Sequence, residues 1–236
     1  MNVEKNENLI IRIFHVFKRY GSKNALNEIS LDVSKNELLF ISGPSGAGKT
    51  TLLKLLYLDE PVSEGQILID GMNLSRISHR RIPFLRRKFG IIFQDYKLIP
   101  TKTVFENVAL VLEVMGKKRR LIQKKVKTVL RIVGMEENIN SFPPSLSGGE
   151  QQRVAVARAV VADPKIILAD EPTGSLDPGS ADIILGLLKK FHARGTTVII
   201  ATHNLSIIRK MGGRVVLLKK GYLQSSTNFV NKLRAF

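Results

Sequence analysis

The sequence contains no cysteine, so a disulfide framework and a thiolate metal site are both excluded, which suits a reducing compartment. It holds no apolar run long enough to span a bilayer. Residues 1–7 lack the basic-then-apolar build of a signal peptide, and a cytoplasmic protein is expected. Low-complexity segments and internal repeats are also missing, so neither disorder beyond the termini nor a solenoid is expected. Acidic residues are scarce: 20 Asp and Glu stand against 37 Lys and Arg, a net charge of +17. Two stretches hold no acid at all, 76–88 and 117–131. Such runs are either solvated faces or attraction to a polyanion, an anionic membrane surface or nucleic acid; composition does not choose between these.

What remains is ordinary for a globular chain of 236 residues, with 44% hydrophobic and 24% charged positions. That length suits one domain, or one domain with a subdomain. Against this background one stretch stands out. Gly43-Pro44-Ser45-Gly46-Ala47-Gly48-Lys49-Thr50-Thr51 fits the phosphate-binding pattern G-x-x-x-x-G-K-[ST] without a mismatch. An apolar strand, 38–42, precedes it, and residues 52–56 follow with helical spacing. The glycines allow a tight turn whose N–H groups and following helix N-terminus face phosphate oxygens. Lys49 reaches the β and γ phosphates, Thr50 offers a hydroxyl to Mg²⁺, and Thr51 lies nearer the α phosphate.

Along the chain, 9–17 and 26–33 alternate as strands with Tyr20 and Gly21 in the turn between them. Residues 66–70 form another strand, a basic helical patch follows, ending near Lys88, and 89–93 is a buried strand with Gln94 at its C-terminal end. From 103 to 140 the pattern becomes helical, closed by Phe142-Pro143-Pro144. A further helix runs to Val161, and strands over 165–169 and 196–201 flank a helix over 179–193. Strands alternating with helices around a phosphate loop predict an α/β fold with a mostly parallel sheet, whose ligands collect at the C-terminal strand ends. Gln94, Asp170, Glu171 and His203 stand at such ends. Asp170 can hold Mg²⁺ through water, and Glu171 can take a proton from the water attacking the γ phosphate. Gln94 can orient water or reach Mg²⁺, and His203 can hydrogen-bond the γ phosphate. His15, His79 and His192 read as structural or exposed.

Leu146-Ser147-Gly148-Gly149-Glu150, taken with the phosphate loop, Gln94, Asp170-Glu171, Ser175-Leu176-Asp177 and His203 in this order, resembles the ATPase subunits of ATP-binding cassette systems. The resemblance implies a P-loop NTPase domain over 1–236. Its parts are a RecA-like core over 9–93 and 165–224 that includes an antiparallel β subdomain, an inserted helical subdomain over 94–164, and a tail over 225–236. It implies ATP and Mg²⁺ as ligands and a head-to-tail homodimer with two ATP molecules between the copies. Ser147 and Gly149, within the signature that Gly148 and Glu150 complete, would then contact the partner copy's γ phosphate. Asp177 would communicate between sites, Tyr20 would stack on adenine, and Gln94 would be the hinge toward a membrane partner.

Within the family, 82–95 and 45–55 are most similar to the cell-division branch, itself related to lipoprotein-release and macrolide-efflux ATPases that work by mechanotransmission. That branch implies an integral membrane partner of FtsX type, control of peptidoglycan hydrolysis, and a peripheral position on the cytoplasmic face of the bacterial inner membrane. The basic stretches would then face anionic lipid. The alternative within the family is the ATPase of a lipoprotein-release, macrolide-efflux or small-molecule transporter. No nucleic-acid partner is expected, because 50–146 holds no long heptad run and there is one phosphate loop.

Overall fold

The computed structural model describes residues 8–228. Two β-sheets share the work. β1 (Leu9–Tyr20) and β2 (Lys23–Ser34) pair antiparallel, and β4 (Glu64–Ile69) adds to the other side of β1 with β5 (Met72–Asn73) at the edge. Tyr20 is the last residue of β1, paired with Lys23, so the turn is Gly21-Ser22 and Tyr20 lies in the strand, not in the turn.

The larger sheet contains β3 (Leu38–Ser42), β6 (Phe89–Ile92), β7 (Ile166–Asp170), β8 (Thr197–Thr202), β9 (Arg214–Lys219) and β10 (Tyr222–Asn228) in the order β10-β9-β3-β8-β7-β6. Every pairing is parallel except β10 with β9. The strand that carries the phosphate loop, β3, therefore lies between the two strands β8 and β9, made more than 150 residues later. β9, β10 and the helix α7 (Leu205–Met211) go beyond the elements expected from the sequence. β10 runs through 225–228, inside the expected tail; residues 229–236 of that tail lie outside the described residues.

The central strands are apolar along their length because both faces are covered, as parallel sheets require. Alternate residues sort into two cores. Phe40, Ile167, Ala169, Val198 and Ile200 face one, Leu39, Ile41, Ile166, Leu168 and Ile199 the other. The first core is closed by α3 (Val104–Val114), α4 (Arg119–Ile132), α5 (Gly148–Val160), α6 (Pro178–Ala193) and α7. The second is closed by α1 (Lys49–Leu56), the short α2 (Ile82–Arg86) and the antiparallel sheet. Asp70, just after β4, binds both Lys88 and Lys165 and so ties that sheet to the larger one.

The basic stretch 76–88, expected as a helical patch ending near Lys88, consists of 3₁₀ turns at Leu74–Arg76 and His79–Arg81 followed by α2. Pro83 accounts for this: it fits only the first turn of a helix, so α2 starts there. The second basic stretch does form one helix. In α4, Ile122, Val126, Val129 and Leu130 make the buried stripe, and Arg119, Arg120, Lys124, Lys127 and Arg131 lie outside.

Candidate active site

The phosphate loop leaves β3 and enters α1 at Lys49. Gly48 has φ +106°, and a side chain there would place Cβ 2.8 Å from the Ala25 carbonyl oxygen, so the turn requires glycine twice over. Among the described residues no side chain caps α1, so its first N–H groups have no side-chain acceptor. Lys49 is buried, and its ammonium donates to the carbonyls of Gly43 at 2.8 Å and Pro44 at 3.2 Å. It also lies 3.7 Å from Glu171 Oε1.

Glu171 follows the C-terminal end of β7 in the left-handed region, φ +43°, unusual for a residue with a side chain. Its surroundings hold it there. Its own N–H donates to Ala201 O at 2.9 Å. Its carboxylate accepts from Thr202 Oγ1 at 2.9 Å and from the His203 N–H at 3.0 Å, and His203 Nδ1 lies 2.6 Å from Oε1. Thr202 was not legible as a site residue, although a hydroxyl closing an apolar strand just before His203 is the available signal. Such a strained, over-determined carboxylate at a strand end is a common mark of a functional position.

Asp170 differs from its neighbour. Its Oδ1 is buried and, among the described residues, has no hydrogen-bond partner. Burial pushes its carboxyl above the usual range; the Thr50 hydroxyl opposes the shift, the Glu171 charge adds to it, and Lys49 and Lys54 oppose it more weakly. An orphaned carboxylate oxygen beside a hydroxyl calls for a cation, and the donor set of Asp170, Thr50 and Gln94 fits Mg²⁺ shared with phosphate oxygens.

These groups surround a cleft of about 720 Å³ lined by Tyr20, Pro44, Ser45, Gly46, Gly48, Lys49, Thr50, Thr51, Gln94, Asp170, Glu171 and His203. Gly43 and Ala47 complete the same loop. Tyr20 stands at the rim, 42% exposed, with the Lys18 ammonium 4.7 Å from its ring centre. A second cavity of about 1,030 Å³ shares Thr50, Gln94 and Asp170 and opens between Tyr57, Phe93 and Tyr96.

Ser147, Gly148, Gly149, Glu150 and Asp177 do not line the cleft. They form a separate group. Ser147 and Glu150 cap α5 reciprocally, with Ser147 Oγ donating to Glu150 Oε2 at 2.7 Å. These bonds hold the Glu150 carboxyl below the ordinary carboxylate range. Asp177 caps α6 by accepting from the Ser180 N–H at 3.0 Å. A side chain at Gly149 would place Cβ 2.4 Å from Ser180 Oγ, so glycine is what lets the two helix starts meet. One chain thus presents a phosphate-type cleft and, apart from it, two capped helix N-termini side by side.

The family described as ABC transporter matches residues 26–174. The cell division ATP-binding protein FtsE of Streptococcus pneumoniae is 45% identical over 213 residues, 90% of this chain and 93% of the relative. FtsE of Bacillus subtilis is 45% identical over 91% and 94%, and that of Escherichia coli K12 43% over 91% and 97%. Among solved structures, a dimeric bacterial ABC transporter cassette superposes with a TM-score of 0.86 at 35% identity, covering 92% of this chain and 98% of that one. The same cassette in a dimeric post-hydrolysis state bound to ADP and phosphate gives 0.85 at 34% identity, with the same coverage.

Proposed function

The chain belongs to the ABC transporter family as one of its ATPase cassettes, and from that premise we propose that it is the ATP-hydrolysing subunit of a bacterial membrane complex acting in cell division. The observation that carries the hydrolytic part is the placement of Glu171, held by Thr202 and His203 and facing Lys49 at the mouth of the phosphate loop.

In this reading ATP lies in the cleft with its phosphates on the N–H groups of 43–51 and its adenine against Tyr20. Lys49 moves its ammonium from the loop carbonyls to the β and γ phosphates. The Glu171 carboxylate takes the proton of the attacking water, while His203, with Nδ1 turned to Glu171, keeps Nε2 for a γ-phosphate oxygen. Gln94 orients the water. Asp170, Thr50 and Gln94 would hold Mg²⁺, which supplies charge neutralisation on the phosphate oxygens.

Ser147 and Gly149 serve the γ phosphate of a second copy, with Asp177 beside them linking the two sites; this accounts for their distance from the chain's own cleft. ATP would close the dimer and hydrolysis open it. The cavity beside Gln94 receives an integral membrane partner of FtsX type, and the chain sits peripherally on the cytoplasmic face of the membrane. The exposed cations Arg80, Arg81 and Arg87, beside Phe84 at 59% exposure, turn toward anionic lipid.

The test is Glu171→Gln. Turnover should fall by at least about a hundredfold, ATP affinity should persist, and an ATP-bound dimer should accumulate on size exclusion. Appreciable hydrolysis by this variant would mean that another group is the base. Trapped with ATP in its host and recovered from solubilised membranes, the variant should retain a partner with few spans and a large outer domain. Recovery with a many-span permease would assign the chain to transport instead.

A further inference from the structure

Three segments of the site meet at one hydroxyl that the mechanism above does not use. Tyr96 lies two residues after Gln94, and its Oη is 3.2 Å from Ser175 Oγ, on the loop that runs from Glu171 to Asp177. A side chain at Gly148 would place Cβ 3.0 Å from the same Oη, so the phenol also borders the start of α5. At Gly174 a Cβ would lie 3.9 Å from Gln94 Nε2, which shows how closely the two loops run.

The backbone that aims this phenol is forced. Tyr96 and Lys97 are consecutive non-glycine residues at φ +59° and +50°, a conformation that persists only where the surroundings impose it. The imposing group is Arg158 of α5. Its guanidinium donates to Tyr96 O at 2.6 Å and to Lys97 O at 2.5 Å, spending its planar fork on two main-chain carbonyls.

We propose that Tyr96 is a positioning residue for ATP hydrolysis: its hydroxyl pins the loop carrying Gln94 to the loop carrying Glu171 and Asp177, with Arg158 fixing the backbone from which it reaches. The inference rests on the roles given to Gln94 and Glu171 above. Gln94 sits two residues from one end of the bridge and Glu171 four from the other. Holding the two loops together thus sets the spacing between the water-orienting amide and the base, and a misplacement of about 1 Å there costs on the order of a hundredfold at most. The phenol touches neither ATP nor water in this scheme and acts through the two loops.

Tyr96→Phe removes the hydroxyl and keeps the ring. Ser175→Ala removes the other half. In the full-length protein each variant should lower kcat for ATP by about three- to tenfold, with KM within about twofold, and the double variant should lose no more than either single one. Unchanged kcat in both single variants, or losses that multiply in the double, would overturn the bridge. A second readout needs no turnover. In hydrogen–deuterium exchange, Tyr96→Phe should speed exchange over 173–177 and Ser175→Ala over 95–98, each variant loosening the opposite loop. If neither opposite loop responds, the bridge is refuted. Should the wild type hydrolyse no ATP at all, the reading of the site fails, and exchange alone decides on the bridge.

Discussion

At the scale of single residues, Asp170 and Glu171 were legible as a pair because two acids ending an apolar strand downstream of a phosphate loop have few other uses. Their difference was not. It arises from what surrounds each carboxylate in three dimensions: Glu171 is met by Thr202 and His203 from β8 and the residue after it, whereas Asp170 Oδ1 has no hydrogen-bond partner among the described residues. Burial raises the Asp170 carboxyl above its unfolded value, so the folded protein holds that proton more tightly than the unfolded chain does. The resulting stability is fully present below the ordinary aspartate range, about pH 4, and is lost as pH rises through the elevated value. Asp170→Asn removes this penalty. Without nucleotide, the variant should melt at a higher temperature than the wild type at neutral pH, with the gap closing toward about pH 4. Its Mg²⁺-dependent hydrolysis should be lost. Thermal melts across pH check the first claim and phosphate release the second; a gap that widened on acidification would contradict the burial account.

Among the elements, the helix starts read most directly. Thr103 with Glu106 and Ser147 with Glu150 each place a hydroxyl three residues before a glutamate, and both form reciprocal caps, on α3 and α5. Chemically the two boxes match, but only Ser147 adjoins the Asp177 cap that we assign to the partner's site. Thr103→Ala should cost about 1 kcal/mol of stability and leave turnover intact, whereas Ser147→Ala should cost a similar amount and also abolish the ATP-bound dimer. Denaturant melts and size exclusion separate the two; a Thr103→Ala variant defective in dimerisation would break the distinction. Charge hides the backbone pattern in one element and not in another. Over 76–88 the basic residues suggest a helical patch, yet Ile77 and Ser78 are extended and Pro83 delays α2. For α4 the equally basic sequence did give a helix, because Ile122, Val126 and Val129 recur at helical spacing under the charges.

For the whole molecule, the excess of cations divides into those the fold uses and those it leaves outside. Arg86 belongs to the first group: its guanidinium donates to the carbonyls of Tyr57 at 3.2 Å and Leu58 at 2.8 Å. Lys88 and Lys165 belong there too, on Asp70. Arg80, Arg81 and Arg87 are exposed, and Arg87 only stacks on Phe84, 4.9 Å from the ring centre. Neutralising these three to Gln, with Arg86 kept, should weaken binding to phosphatidylglycerol vesicles by about tenfold to a hundredfold, and added salt should weaken the wild type likewise. Flotation assays that show equal binding would remove anionic lipid as the target of this patch. The same scale shows a consequence of where β3 lies. Both neighbours of β3 come from residues 197–219, and the phosphate loop itself is closed by Gly221, whose N–H donates to Ala47 O at 3.1 Å. The loop is thus shaped by strands that follow it in sequence by more than 150 residues. A fragment that stops before residue 197 carries the phosphate-loop sequence without either strand that flanks β3, and is expected not to bind ATP.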